Sequence, residues 1–479
     1  MRSVVGRHGR LEMDQATLQA YQLLLERIGL DESDSGGSVR FTGADPVVPS
    51  RLRYGAATAS AIAAHGAAVA TLWRMRSGRG QDVSVDLGRA VNLGLRTLQN
   101  MRQNGRSFSV GSLTRAFNFF KTADGRQIYL LRNTGRLNIT TDLVGFLRCE
   151  NTTESMAQAV LRWQSDELEE ALAQRKLPAV IARTPAEWAA HPQGRWLTER
   201  PGVEIEKIGD SAPEPLGPAA RPTSGIRVLD ASHVIAGPAT GRMLAEHGAQ
   251  VLHVTPPLEQ EGMPVVMDTG FGKRAAYIDL NQVEDVAQLR DLARSADIFI
   301  QSWRPGALAR RGFSPQDLAA IRPGIIYVSI SCYGAEGPWA ARGGYEPIGQ
   351  VACGLSVTEG TMAAPRNAPT VTMNDYLTAY LAAAGALGAL VRRAREGGSY
   401  HVKTSLTQSS MWVLARGLVS ADVDLAALTP FVPQPDDMQR TSTVFGELDH
   451  PAPIARFSET PAYWSSAPQP AGSSPARWL

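Results

Sequence analysis

The chain has 479 residues, too many for one hydrophobic core, which stops growing near about 250–300 residues. Apolar residues make up 43% and charged residues 20%, which excludes a disordered, collagen-like or coiled-coil chain. Lysine plus arginine (48) nearly balances aspartate plus glutamate (46), leaving a net charge of +2. Bulk charge therefore gives no case for nucleic acid or a membrane as partner. The three cysteines, Cys149, Cys332 and Cys353, are too few and too scattered for a disulfide framework or a structural zinc site. A reducing, cytoplasmic setting is expected. The opening MRSVVGRHGRLEMDQ lacks the apolar centre of a signal peptide. The longest apolar run, Leu377–Val391, falls short of the roughly 20 residues that span a bilayer.

In chain order, Asp14–Ile28 reads as a helix and Ser33–Ser38 as a Gly/Ser-rich loop. Residues 54–76 are rich in alanine and predict a helix in close contact with its neighbours, ended by the turn Ser77-Gly78-Arg79-Gly80. The alternation of Val83, Val85 and Leu87 predicts a strand. Phe117–Leu131 reads as a hairpin around TADGRQ. Amphipathic helices follow over 152–200, one of them starting at Thr184-Pro185, and the Pro/Gly-dense 209–224 reads as a linker.

The texture then changes. Ile226–Asp230, the helix ATGRMLAEHGA and QVLHV form a βαβ unit. AAYIDL, ADIFIQ and GIIYVSIS continue the alternation with helices between them. This order predicts a parallel, doubly wound sheet, whose ligands bind at the carboxyl ends of the strands. Residues 66–87 also match residues 385–406 at an offset of 319 residues, with roughly a third of positions identical. Chance similarity of two Ala/Gly-rich helices competes with partial duplication. The shared glycine turn and following strand favour duplication.

Several residues have the chemistry of a site. Lys273-Arg274, Arg304 and Arg310-Arg311 lie near expected strand ends and suit phosphates; each taken alone also reads as solvated surface charge. Trp303 suits an adenine ring or simple packing. The loop HVIAGPATG is not a GxGxxG fingerprint, though its backbone N–H groups could still meet a phosphate. Asp375 opens a long apolar helix. On spacing alone it is a first-turn acid stabilised by the helix dipole. The same physics would keep it ionised as a nucleophile, and the corresponding residue of the first copy is Ala56. His233, His247 and His253 show no metal-ligand spacing, so no metal site is expected. Cys332 reads as a small buried residue before it reads as a nucleophile.

These motifs resemble the class III CoA-transferases, the CaiB/BaiF type. The resemblance runs from about residue 225 to 416 through GIRVLDASHVIAGPATGRMLAEHGAQVLHV, GFGKRAAYIDL, SADIFIQSWRPGALARRGF, PGIIYVSISCYGAEGPWAARGGYEPIGQVACGL and NDYLTAYLAAAGALGAL. It implies an α/β protein with a Rossmann-like, doubly wound parallel sheet and a smaller α+β domain. The order would be a degenerate transferase-like helical segment (1–110), the small domain (111–208), a linker (209–224), the CoA-binding and catalytic domain (225–420) and an extended tail (421–479). It implies CoA transfer from an acyl-CoA thioester to a carboxylic acid. No cofactor would be held permanently; coenzyme A and acyl-CoA would enter as substrates. Asp375 would be the nucleophile. Val234, Ile235, Ala236, Lys273, Arg274, Trp303, Arg304 and Arg310 would contact CoA. A racemase of the same superfamily is the alternative, although GGYEPIG puts Tyr345-Glu346 where that group has its histidine. A non-catalytic CoA-binding relative is a further alternative. The resemblance also implies a homodimer, or a pseudo-dimeric monomer in which the duplicated helix stands in for a partner.

Overall fold

The computed structural model describes residues 15–108, 117–132, 139–257, 262–370 and 372–479. Asp14, the expected start of the first helix, lies outside the described residues. A seven-stranded sheet organises the molecule: β1 (Val203–Gly209), β2 (Arg227–Asp230), β3 (Gln250–Thr255), β4 (Lys273–Tyr277), β5 (Ile298–Gln301), β6 (Ile326–Ser331) and β7 (Ser399–Ser405). Its spatial order is β4-β3-β2-β5-β6-β7-β1. Every pairing is parallel except β7 with β1. The expected doubly wound sheet is present, with an antiparallel strand added at one edge.

The sequence builds this sheet by alternation. Successive side chains of a strand point to opposite faces. Val228, Ile298, Ile300, Ile326 and Val328 enter one core cluster, while Leu229, Phe299 and Tyr327 enter the other. Both faces are thus covered, as a parallel sheet requires.

The main helices are α1 (Gln15–Ile28), α2 (Tyr54–Ser77), α3 (Ala236–Ala245), α4 (Glu346–Ala352), α5 (Met373–Glu396) and α6 (Leu406–Leu414). Among the described residues only α2 is long and apolar enough to cross a membrane, and its apolar stretch is buried in the protein. Its alanines let it lie against α5, and Gly78 ends it in the left-handed conformation. Close approach recurs where α1 meets α5. A Cβ on Gly388 would stand 2.4 Å from the Ile28 carbonyl oxygen.

The two segments that match at an offset of 319 residues share several local features. Helices α2 and α5 have 24 residues each, and both of their ends are 319 positions apart. Asp86 caps the helix after the first strand by accepting from Arg89 N, and Ser405 caps α6 by accepting from Gln408 N. The first-copy strand Val83–Asp86 pairs parallel with Val39–Thr42 and antiparallel with Arg456–Phe457. In the same way β7 pairs parallel with β6 and antiparallel with β1. Each antiparallel strand is supplied from beyond the other copy: β1 follows the first half, and Arg456–Phe457 follows the second.

Two expectations need correction. Residues 209–224 do not form a free linker, because Arg76 of α2 donates to the carbonyls of Gly217, Pro222 and Ser224 at 2.7 Å each. Nor is the region after 420 simply an extended tail. Met438–Thr443 and Gly446–Pro451 form a hairpin, and the last residues strap the outer sheet. Trp464 Nε1 donates to Arg242 O at 3.2 Å, and Trp478 Nε1 to Leu292 O at 3.1 Å. Two indole anchors carry no hydrophobic period, so the pattern hid them. The hairpin Phe117–Lys121/Gln127–Leu131 pairs with Ala179–Ile181 in a small antiparallel sheet. Thr184 caps the helix beginning at Pro185 through a full capping box.

Candidate active site

Strand order reverses between β2 and β5, because the chain winds outward to β3 and β4 on one side and to β6 and β7 on the other. Open α/β sheets bind ligands in the crevice beside such a reversal. The loop leaving β2 is held from below by Asp230, which is fully buried. Its carboxylate accepts from Lys273 Nζ at 2.8 Å, from Ser232 N at 3.2 Å and from Ser232 Oγ, and lies 3.1 Å from His253 Nδ1. Lys273 and His253 hold this carboxyl far below the usual carboxylate range despite its burial.

Above that anchor, Val234 has φ +65°, a genuine outlier for a β-branched side chain. Ile235 and Ala236 follow, at the N-cap and first residue of α3. His233 stacks on Trp303 with ring centroids 4.1 Å apart. Ser302 Oγ accepts from His233 N at 3.0 Å and lies 3.1 Å from His233 O, and Trp303 Nε1 donates to Ala231 O at 2.8 Å. The ends of β2 and β5 are thus sewn together around an aromatic face. Arg304 and Arg310 are exposed beyond β5, with the Arg304 guanidinium close over Gly343.

The other two expected cations are placed differently. The strand begins at Lys273, before AAYIDL, so Lys273 and Arg274 stand at its amino-terminal end. The Lys273 ammonium is buried, held by Asp230 and the Pro238 carbonyl. Arg274 donates to Arg477 O at 2.6 Å and Pro475 O at 3.0 Å, in the chain's own terminal strap.

Asp375 is the third residue of α5 and is 6% exposed. Among the described residues no group hydrogen-bonds to its carboxylate, and burial alone raises its pKa to about 7. Its backbone is fixed by neighbours. Glu346 Oε1 accepts from Asn374 N at 3.0 Å, Asn374 Nδ2 donates to Glu346 O at 2.9 Å, and Ser410 Oγ donates to Asn374 Oδ1 at 2.7 Å. Burial, then the Asp375 charge, raises Glu346 well above the usual carboxylate range. Tyr376 donates to Asp268, which also takes Arg242 Nη1 at 3.1 Å, tying the start of α5 to α3. The first half takes part too, because Thr372 Oγ1 donates to Leu95 O at 3.1 Å. Burial pushes the Cys332 thiol well above its usual range, so it is a packed thiol and not a thiolate.

Glu346, Asp268 and Arg242 were not among the expected site residues. An acid opening the apolar stretch EPIGQVA was the one sequence signal for Glu346.

A sequence model of CoA-transferase family III matches residues 223–469, more than half of the chain. The chain belongs to CoA-transferase family III. It is 36% identical over 200 residues to an acetyl-coenzyme A transferase of Hypoxylon pulicicidum, covering 40% of this chain and 34% of that one. It is 31% identical over 324 residues to an acyl-CoA transferase of Gibberella moniliformis, covering 63% and 57%. The succinyl-CoA:glutarate CoA-transferase of Mus musculus is 27% identical over 250 residues, covering 50% and 54%. The chain therefore spans from about a third to just over half of the length of these relatives. A solved CaiB/BaiF family protein from Brucella suis is 27% identical, with a TM-score of 0.38, covering 47% of this chain and 64% of that one. The family match spans both the β2–β5 crevice and Asp375.

Proposed function

We propose that this family III chain moves CoA from an acyl-CoA thioester to a carboxylic acid through Asp375. The observation that carries the reading is a buried carboxylate with no hydrogen-bond partner among the described residues, on a helix start that its neighbours hold rigid. A carboxylate stripped of water and of donors is a stronger nucleophile than a solvated one. It attacks the thioester carbonyl, and CoA thiolate leaves, giving a mixed anhydride. The thiolate then attacks the aspartyl carbonyl and releases the donor acid. The acceptor carboxylate attacks the resulting aspartyl thioester. Thiolate returns to the new acyl carbonyl, and Asp375 is free again.

In this reading CoA lies along the β2–β5 crevice. The 234–236 backbone and Trp303 face the nucleotide, and Arg304 and Arg310 offer charge to phosphates. Lys273 and Arg274 act indirectly, one by anchoring the loop through Asp230 and the other by seating the terminal strap. The exchange of edge strands within one chain favours a pseudo-dimeric monomer with one site over a homodimer. Three free cysteines suit a cytoplasmic setting.

The test is a transfer assay with a panel of acyl-CoA donors and mono- and dicarboxylic acceptors. Wild type forms a new thioester from at least one pair, and Asp375→Asn and Asp375→Ala form none. Equal turnover by Asp375→Ala would refute the role of Asp375.

A further inference from the structure

We propose that His65, Glu246 and His247 form a site for a divalent transition-metal ion, Zn2+ by preference, which staples the first-half helix α2 to the nucleotide-type domain. His65 comes from the middle of α2, whereas Glu246 and His247 follow the last residue of α3. The three residues are 1%, 7% and 1% exposed. Their candidate ligand atoms all lie within 4.8 Å of one another. His247 Nε2 and Glu246 Oε1 are 3.3 Å apart. A tetrahedral ion with bonds of about 2.0–2.1 Å needs ligand atoms roughly 3.3 Å apart, so the Glu246–His247 edge is already formed, and the other ligand atoms lie within 4.8 Å of one another.

The second observation is an excess of orphaned nitrogens. Among the described residues, His65 Nε2 and both ring nitrogens of His247 are buried with no hydrogen-bond partner. Leaving several such groups buried without a partner is costly, and native proteins rarely cluster that cost. An ion bound between them turns two of these lone pairs into ligands. Burial lowers both imidazoles to about 3, so they are neutral with lone pairs available, and raises Glu246 to about 7. Two imidazoles and one carboxylate are a donor set that suits Zn2+. Aromatic rings close the surroundings: Phe457 lies 5.1 Å from His247, and Tyr380 6.2 Å from His65. The site is separate from the proposed chemistry, since neither Asp375 nor the 231–236 loop contributes to it.

The experiment uses the full chain purified from zinc-supplemented cells, with metal content measured by mass spectrometry. A second sample is stripped with a strong chelator and reloaded with Co2+. Wild type is expected to retain one Zn2+ per chain, to show the visible bands of tetrahedral Co2+ after reloading, and to melt at a lower temperature once stripped. His65→Leu and the nearly isosteric Glu246→Gln are expected to lose the retained ion and the chelator sensitivity. A wild-type chain that retains no metal and melts at the same temperature with and without chelator would overturn the proposal. So would unchanged metal content in both variants. The wild-type measurement decides the question even if a variant fails to fold.

Discussion

Ala56 and Asp375 hold the same place, third in two 24-residue helices that pack against each other. The two helix starts are closed alike. Glu346 takes the Asn374 N–H in the second copy. Asp45 takes the Gly55 and Ala56 N–H groups at 2.8 Å each in the first. The two helix starts are therefore arranged alike, and only that of α5 presents a carboxylate from the helix itself.

Restoring the acid in the first copy will not restore a site. Ala56 is fully buried, and a new carboxylate there meets the one on Asp45. Ala56→Asp is expected to destabilise the fold by roughly 3–5 kcal/mol, as an uncompensated buried charge does. Denaturant titration measures this. Active-site titration of any folded variant should still count one reactive carboxylate per chain.

Asp375 gives a pH dependence of defined sign. Its folded pKa, about 7, lies above the ordinary value for an unfolded aspartate, about 3.9. The folded chain therefore binds the proton more tightly. Its stability contribution is complete below about pH 4 and is lost as pH rises through about 7. Asp375→Asn should accordingly be more stable than wild type at pH 8, by at most about 4 kcal/mol, and the gap should close toward pH 4. Transfer activity runs the other way and should rise with pH through about 7, because the nucleophile is the ionised form. Melting curves and kcat/KM across pH 5–9 check both signs.

Trp303 tests the crevice. Removing an aromatic platform for a base costs about 1–3 kcal/mol, so Trp303→Ala should weaken CoA binding by roughly tenfold or more. Trp303→Phe should recover most of the affinity, since it keeps an aromatic face while losing the hydrogen bond to Ala231 O. Calorimetric titration with CoA distinguishes the two, and an unchanged Kd in Trp303→Ala would place the nucleotide elsewhere.

Much of this architecture can be read from the residues, and the part that cannot has a physical reason. Strands β2, β5 and β6 announce themselves because their alternate residues feed two different cores. Helices α2 and α5 are legible because small residues recur through both. Asp375 is visible as an acid opening an apolar helix, but its lack of partners is not. Lys273 looked like a free cation because nothing local reveals Asp230, 43 positions earlier, as its partner. Glu346 and Asp268 join the site only through contacts 28 and 108 positions away in sequence.

Gly354 packs tightly against the turn that opens the Pro185 helix. Gly354 has φ +90°, and a Cβ there would stand 2.4 Å from Pro185 N. Gly354→Ala must therefore strain its own backbone and push the Thr184–Pro185 turn away, at a cost of about 2 kcal/mol or more. Thermal unfolding should show this loss, and limited proteolysis should become faster between residues 175 and 200.

The most direct measurement of the central claim is covalent trapping. The full chain is incubated with acyl-CoA thioesters, treated with borohydride or hydroxylamine, and mapped by peptide mass. The account predicts a modification on Asp375 alone, absent in Asp375→Asn and in samples without thioester. A chain that binds CoA and catalyses transfer while Asp375 stays unmodified, or that is modified at another residue, would contradict it.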